Sequence, residues 1–277
     1  MSAPRFGYGT NGFADHRLDD ALAVLADLGY AGVALTLDHH HLDPYAPDLS
    51  ARLTRLAGRL DSLGLAVVIE TGARYLLDPW RKHRPTLLCD DGDRRVDLLV
   101  RAVRIGAELG AEAVSFWSGT APGGQPEEVG WDRLVAGCEQ VVTVALAAGV
   151  TVGLEPEPGM FVDTLDRFTD LRARLGAPAG FGLTLDIGHC RVVETDSVAD
   201  CVRRAGPHLV NVQIEDMRQR AHEHLPFGDG EIDFPPVLAA LDQVRYRGLV
   251  SVELPRHSHA APVLARDSLA YLRKAAP

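Results

Sequence analysis

Short β-rich runs alternate with longer helical runs eight times along this chain of 277 residues. "RFGYGTNGF" (5–13), "AGVALTL" (31–37), "LAVVIET" (65–71) and "AEAVSFWSG" (111–119) open the first four units. "VTVGLEPE" (150–157), "FGLTLDIG" (181–188), "HLVNVQIED" (208–216) and "GLVSVEL" (248–254) open the last four. Between them the apolar period lengthens to that of a helix: Leu18, Leu22, Leu25 and Leu28 form one stripe, and Leu49, Leu53, Leu56, Leu60 and Leu63 another. Several of these helices stop at a Leu-Gly or Ala-Gly pair just before the next strand, the usual helix-ending glycine with a short connection. Alternating strands and helices imply a parallel sheet. Eight units without a break in composition imply one closed (β/α)8 barrel spanning residues 1–277. An open dinucleotide-binding sheet is the competing topology, but the first connection, "GTNGFADHR", has no GxGxxG run.

A hydrophobic fraction of 46% with 24% charged residues supplies a large core and a solvated exterior. The formal charge of −10 opposes general binding to nucleic-acid phosphates and favours small-molecule ligands. Cys89, Cys138, Cys190 and Cys201 form no CxxC pair, and no signal-peptide pattern or membrane-length apolar run is present. A cytoplasmic enzyme with free thiols is expected, with Cys190 a buried thiol and not a nucleophile.

In a (β/α)8 barrel the active site lies where the strands end. The strand ends here are polar: Glu70, Glu155, Asp186, Gln213 and Glu253 close strands three, five, six, seven and eight. Carboxylates crowded out of water repel and lose hydration, at a cost of several kcal/mol per ion. One bound divalent cation resolves that conflict. Carboxylate and amide oxygens are hard donors, which favours Mn2+ or Mg2+, allows Co2+, and places Zn2+ behind them in the absence of a His ligand. Glu157 competes with Glu155, because alternation sends both to the same face. Glu155 follows the apolar "VTVGL" directly and is the preferred ligand.

Loops on the same face are expected to bind the substrate. The long third connection carries Arg74, Arg81, Lys82, His83 and Arg84 around Trp80. Arg74 and Lys82 are the candidates for holding a phosphate or carboxylate, with Trp80 against a sugar face. Trp117 is read as a cavity wall. His39, His40 and His41 are read as substrate-contacting or solvent-exposed, and His224 and Arg218, after strand seven, as substrate ligands. Gly228 and Gly230 fit a tight turn.

"VGLEPE", "LTLDIGH", "LVNVQIED", "GDGEIDF" and "LVSVEL", in this order and spacing, resemble the xylose isomerase-like TIM-barrel superfamily across essentially the whole chain. The ketose 3-epimerase and hydroxypyruvate isomerase branches are nearest in motif. That resemblance implies metal ligands at Glu155, Asp186, Gln213 and Glu253, with Gln213 standing where ketose epimerases carry His. It also implies a substrate hydrogen bond from His189, and proton transfer through a metal-stabilised enediolate between Glu155 and Glu253 on a small sugar or hydroxy-carbonyl compound. The same start permits a lyase or dehydratase, and the altered third ligand leaves a non-catalytic sugar-binding barrel open. Dimers are common in this group. His222 and His224 in "AHEHLPFGDGEIDF" resemble the zinc-binding loop of endonuclease IV. Gln213 and the acidic charge of the chain argue against abasic-site cleavage.

Overall fold

The structure, a computed structural model, describes residues 4–72 and 74–277. In chain order its elements are β1 (Arg5–Gly9), α1 (Leu18–Leu28), β2 (Gly32–Thr36), α2 (Leu49–Leu63), β3 (Ala66–Glu70), α3 (Asp93–Leu109), β4 (Val114–Trp117) and α4 (Glu127–Ala148). There follow β5 (Val152–Glu155), α5 (Leu165–Arg174), β6 (Phe181–Asp186), α6 (Ile187–Val193), α7 (Val198–Ala205) and β7 (Leu209–Ile214). The chain ends with β8 (Asp216–Arg218), β9 (Ala221–Leu225), α8 (Phe234–Gln243), β10 (Leu249–Val252) and α9 (Ala261–Ala275). Eight parallel strands close in the order β1-β10-β7-β6-β5-β4-β3-β2, while β8 and β9 pair as a separate antiparallel hairpin. The closed barrel expected from the eightfold rhythm is the fold. Two features depart from that reading: the "IGHC" turn is the short helix α6, and the loop after strand seven contains the β8–β9 hairpin.

Helix endings follow the glycines. Gly64 takes φ +65°, and the backbone N–H groups of Gly64 and Leu65 donate to Asp61 and Leu60, so the last turn of α2 is satisfied as the chain leaves for β3. The buried face of α2 is Leu53, Leu56 and Leu60, while Leu49 and Leu63 at its ends are half-buried. With Leu22 and Leu25 of α1, Leu99 and Val103 of α3 and Leu134 of α4, these residues pack on the outward strand residues Leu35, Val67, Ile69, Phe116, Leu154 and Val212. Each fully buried Leu or Val contributes about 1.5–3 kcal/mol of transfer free energy. Among the described residues no helix is long and apolar enough to cross a membrane.

Inside the barrel the chemistry changes with height. At the bottom a small separate cluster of Val68, Ala113 and Leu249 fills the interior. One alternation step higher come buried Ser115, Thr184, Asn211 and Ser251. Glu70 stands level with Ser115, and Asp186, Gln213 and Glu253 lie one step above Thr184, Asn211 and Ser251. The register sets their levels, with Glu70 beside Ser115, Glu155 beside Trp117 and Asp186 beside Gln213. Closure at this width requires small residues: a Cβ on Gly182 would lie 2.3 Å from Val210 Cγ1 and 2.7 Å from the His208 carbonyl oxygen.

Gly182→Ala is therefore expected to lower unfolding stability by about 1–3 kcal/mol through overpacking against backbone that cannot yield. Gly58→Ala, inside α2 with open space around it, is expected to raise it by about 0.5–1 kcal/mol. Urea midpoints of the two variants measure both, and equal midpoints would contradict this account of the barrel interior.

Candidate active site

At the C-terminal mouth of the barrel lies a cavity of about 480 Å³. Glu70, Glu155, Glu157, Gln213 and Glu253 line its floor, and His189, His222, His224, Trp117, Arg74, Lys82 and Arg256 line its sides. Asp186 lies just beneath, with a fully buried side chain. As the N-cap of α6, it accepts the His189 backbone N–H at 2.9 Å, so the strand's last residue also starts the helix that carries His189. One donor atom each from Glu155, Asp186 and His189 lies within 4.8 Å of the others. The same holds for Asp186, Glu215, His224 and Glu253, which makes Asp186 common to both groups. Neighbouring carboxylates are held from the sides: Asn11 Nδ2 donates to Glu253 at 2.8 Å, and Asn211 Nδ2 donates to Glu70 at 3.0 Å.

This arrangement leaves polar atoms unpaired. Asp186 Oδ2, Gln213 Oε1, both Glu215 carboxylate oxygens and His224 Nδ1 are buried without a hydrogen-bond partner. Each such atom costs about 1–3 kcal/mol, more where it is charged. Burial first, and then the neighbouring carboxylates, push Glu155, Glu215 and Glu253 well above the usual carboxylate range. Burial raises Glu70 to about 8. Asp186 is held low: burial pushes it up, but the neighbouring His189, Glu215 and His224 side chains outweigh that. Burial lowers His222 to about 4 and His224 to about 3, so both are neutral near neutral pH, with lone pairs available. A divalent cation among Glu155, Asp186, Gln213, Glu215, His224 and Glu253 would satisfy the unpaired atoms and suppress the carboxylate repulsion together. The donor set fits such an ion.

The β8–β9 hairpin closes one side of the cavity. Asp216 anchors it by accepting the backbone N–H groups of Met217, Gly228 and Ile232 at 3.0, 2.9 and 3.1 Å. Alternation along β9 points His222 and His224 inward and Glu223 outward. His222 Nε2 lies 3.1 Å from His189 Nε2, and His189 Nδ1 lies 3.2 Å from the Pro156 carbonyl oxygen. A proton on Nδ1 for that contact leaves Nε2 facing the cavity as an acceptor.

The strand ends named from sequence do converge, and His189, His224, Trp117, Arg74 and Lys82 join them in the cavity wall. Both Glu155 and Glu157 line it, but Glu155 is the one grouped with Asp186 and His189. Arg218 is a correction. It lies on the outer face of the hairpin, half-exposed, donating to Glu223 at 3.0 Å and to the Asp229 carbonyl at 3.1 Å. Trp80 is another, because at 90% exposure it packs on nothing and lies outside the cavity lining. His40 and His41 border a separate groove with Arg17 and Arg52, and His39 pairs with Asp38. Cys190 is buried, as expected. Glu215 is an addition, and His222, named from sequence only for its likeness to a zinc-binding loop, joins the cavity wall. Glu215 continues the inward alternation Asn211, Gln213, and Gly188 makes room for it: a Cβ there would meet Glu215 Oε1 at 2.1 Å. His189 and His224, in groups that could hold a metal ion, remove the reason for placing Zn2+ behind the harder ions.

A family model described as xylose isomerase-like TIM barrel matches residues 22–275. The chain is 25% identical over 228 residues to the L-ribulose-5-phosphate 3-epimerase UlaE of Salmonella paratyphi C, covering 80% of each. In structure it resembles D-allulose 3-epimerase from Methylomonas sp., with TM-score 0.78 and 19% identity over 99% of each chain. It also resembles the 3-keto-D-glucoside 4-epimerase YcjR from E. coli, with TM-score 0.79 and 17% identity over 98% of this chain and 99% of the other.

The raised carboxylates give the metal-free protein a definite pH dependence. Glu70 titrates near 8 in the folded chain against 4.5 ordinarily, so between those values the folded state holds a proton that the unfolded state has lost. Above about pH 7.5 His222 and His224 are neutral in both states, and folding then takes up protons. The melting temperature of chelator-stripped protein is expected to fall as pH rises from about 7.5 to 8.5. Added Mn2+ should stabilise more at the upper end, because it binds deprotonated carboxylates. A melting temperature that climbs across this window would refute the assignment.

Proposed function

Because the chain belongs to the xylose isomerase-like TIM-barrel family, we propose that it is a divalent-metal-dependent sugar isomerase or epimerase that moves a proton at the carbon beside a ketose carbonyl. One observation carries this reading: Asp186, with an unpaired buried oxygen, belongs to both donor groups, one containing Glu155 and the other Glu253. A cation held at Asp186 would therefore have Glu155 in one donor group and Glu253 in the other, which suits removal of a proton by one carboxylate and its return by the other. The epimerase names carried by UlaE and the D-allulose enzyme agree with that chemistry.

Glu155, Asp186, Gln213 and Glu253 would hold the metal, with Glu215 and His224 as further donors. When bound, the cation polarises the carbonyl, acidifies the adjacent C–H and offsets the negative charge developing on oxygen. Oxygen and imidazole donors together are compatible with Mn2+, Co2+ and Zn2+ as well as Mg2+. Glu155 and Glu253 handle the proton. Burial raises the proton affinity of both carboxyls, which suits each to take a proton from carbon and to return it. His189 presents Nε2 to a substrate hydroxyl while the Pro156 carbonyl fixes its ring. The hairpin histidines and the Trp117 wall limit water at the reacting carbon, which strengthens the electrostatics of the floor.

Mn2+-loaded protein is expected to place deuterium from D2O on the carbon beside the carbonyl of D-allulose, L-ribulose or L-ribulose 5-phosphate, with an epimer or isomer of unchanged mass as product. Glu155→Gln and Glu253→Gln should each lower exchange by about 10²–10⁴-fold while retaining the fold. Retained exchange in both variants would end their assignment. Loss of water from the product would replace isomerisation with dehydration. Exchange absent with every ketose despite bound metal would leave a binding protein.

A further inference from the structure

We infer that Glu70 is a specificity-determining residue, whose carboxyl binds a hydroxyl on the part of the ketose chain beyond the carbon that exchanges its proton. This rests on the proton-transfer chemistry proposed for the floor and names what holds the far end of that substrate.

Glu70 ends β3, and in the closed strand order β3 and β7 stand opposite each other, four steps apart in either direction. Asn211 of β7 nevertheless donates its Nδ2 to Glu70 Oε1 at 3.0 Å. A hydrogen bond between opposite strands brings the Glu70 carboxyl to the barrel axis, in the middle of the cavity floor. Asn211 is fully buried and lies outside the cavity lining, so it reaches the site through Glu70. Among the described residues Glu70 Oε2 accepts no hydrogen bond, and it is open to the cavity. Glu70 also belongs to none of the groups that could hold a metal ion. Those groups draw on the ends of β5, β6, β7 and β10 and on the hairpin, which is the other half of the ring. A ketose whose carbonyl end meets a cation there extends across the floor toward β3, and a cavity of about 480 Å³ has room for it.

Between Glu155 on β5 and Glu70 on β3 lies β4, whose last residue, Trp117, walls the cavity. That ring is fixed in place. Arg95 of α3 is 2% exposed, and its Nε and Nη2 donate to the carbonyls of Pro85 and His83, each at 3.0 Å. Its guanidinium lies 4.6 Å from the centre of the Trp117 ring, and His83 packs edge-on against the same ring at 5.2 Å. The C–H groups of a sugar thus meet an apolar surface between the metal side and Glu70. Its hydroxyls need partners of another kind. A carboxyl accepts from a hydroxyl when ionised and also donates to one when protonated. Such a group rejects an analogue that lacks the hydroxyl, because binding then leaves the carboxyl desolvated and unpaired.

Titration calorimetry on Mn2+-loaded protein tests this with D-allulose, L-ribulose, L-erythrulose and dihydroxyacetone, the last of which has no hydroxyl beyond the exchanging carbon. At least one longer ketose is expected to bind about 10–100-fold tighter than dihydroxyacetone. Glu70→Met should remove most of that preference, and Asn211→Ala, which takes away the brace alone, should weaken it in the same direction. Glu70→Gln keeps the shape and an acceptor for Asn211; it should cost about threefold or more, as a charge-assisted contact becomes a neutral one. Should Glu70→Met not fold, Glu70→Gln decides. Mn2+ stoichiometry is expected to stay at the wild-type value, and in D2O exchange the loss should fall on KM for the longer ketose more than on kcat. A preference unmoved in the Glu70 variants overturns the inference. So does loss of bound Mn2+, which makes Glu70 a metal ligand, and so does an equal fall in kcat for every ketose, which makes it a proton carrier. Exchange by the wild type without any preference for chain length ends this inference and leaves the proton-transfer reading intact. A preference lost in the Glu70 variants of a protein that exchanges no proton with any ketose does the reverse.

Discussion

Carboxylates that a closed barrel cannot separate govern this molecule. Hydrogen-bonded strands fix where Glu155, Asp186 and Glu253 emerge, and closure turns all three toward one mouth. Moving any of them away would break the ladder that holds its strand. Their charge must therefore be met locally, by protons or by a cation. Protons satisfy the repulsion but leave Gln213 Oε1 and His224 Nδ1 unpaired, whereas a cation takes up those lone pairs too. The same conflict that burdens the metal-free fold would favour a bound cation.

The rest of the fold offsets that conflict. Strand and helix leucines bury a large apolar layer outside the barrel, while the interior passes from Val68, Ala113 and Leu249 through hydroxyl and amide side chains to the acids. Such a gradient has a physical consequence: polar side chains next to the acids hydrogen-bond them, as Asn211 does for Glu70. An apolar layer directly under the carboxylates would raise the desolvation penalty further. Glycines at narrow levels, such as Gly182, let the ring close around these larger groups.

Much of this was legible in the chain. Eight alternating periods and the glycine stops gave the topology, because both reflect backbone rules that tertiary contacts seldom override. Alternation also found the strand-end acids. What escaped lies where local period and final geometry diverge. Glu215 obeys the inward alternation of Asn211 and Gln213 but stands one residue beyond β7, so a rule that takes one polar residue per strand end passes over it. The seven residues of α6 are too few to show a helical period, and their cap is the same Asp186 that belongs to the site. Polar residues dominate "AHEHL", so the hairpin lacked a hydrophobic signal; once β9 pairs with β8, His222 and His224 face in and Arg218 pairs outward with Glu223. Arg95 was hidden by its residue type, because a buried guanidinium in a helix is expected only after the carbonyls that receive it are seen.

The division between floor and wall follows from which parts of a barrel can vary. Floor residues sit on strands or their immediate ends, where a shift of one residue would turn a side chain to the opposite face. Chemistry that needs donors placed to a fraction of an ångström belongs there. The wall belongs to loops: Arg74 and Lys82 come from the connection after β3, Arg256 from the one after β10 and His222 from the hairpin. Loops tolerate changes of length and charge without disturbing the ladder. Proton transfer beside a carbonyl can thus persist on one strand framework while the surrounding loops decide which sugar reaches it. In this chain the third connection is packed around Arg95 and Trp117, so the loop on that side of the site is tied to the helix and strand behind it.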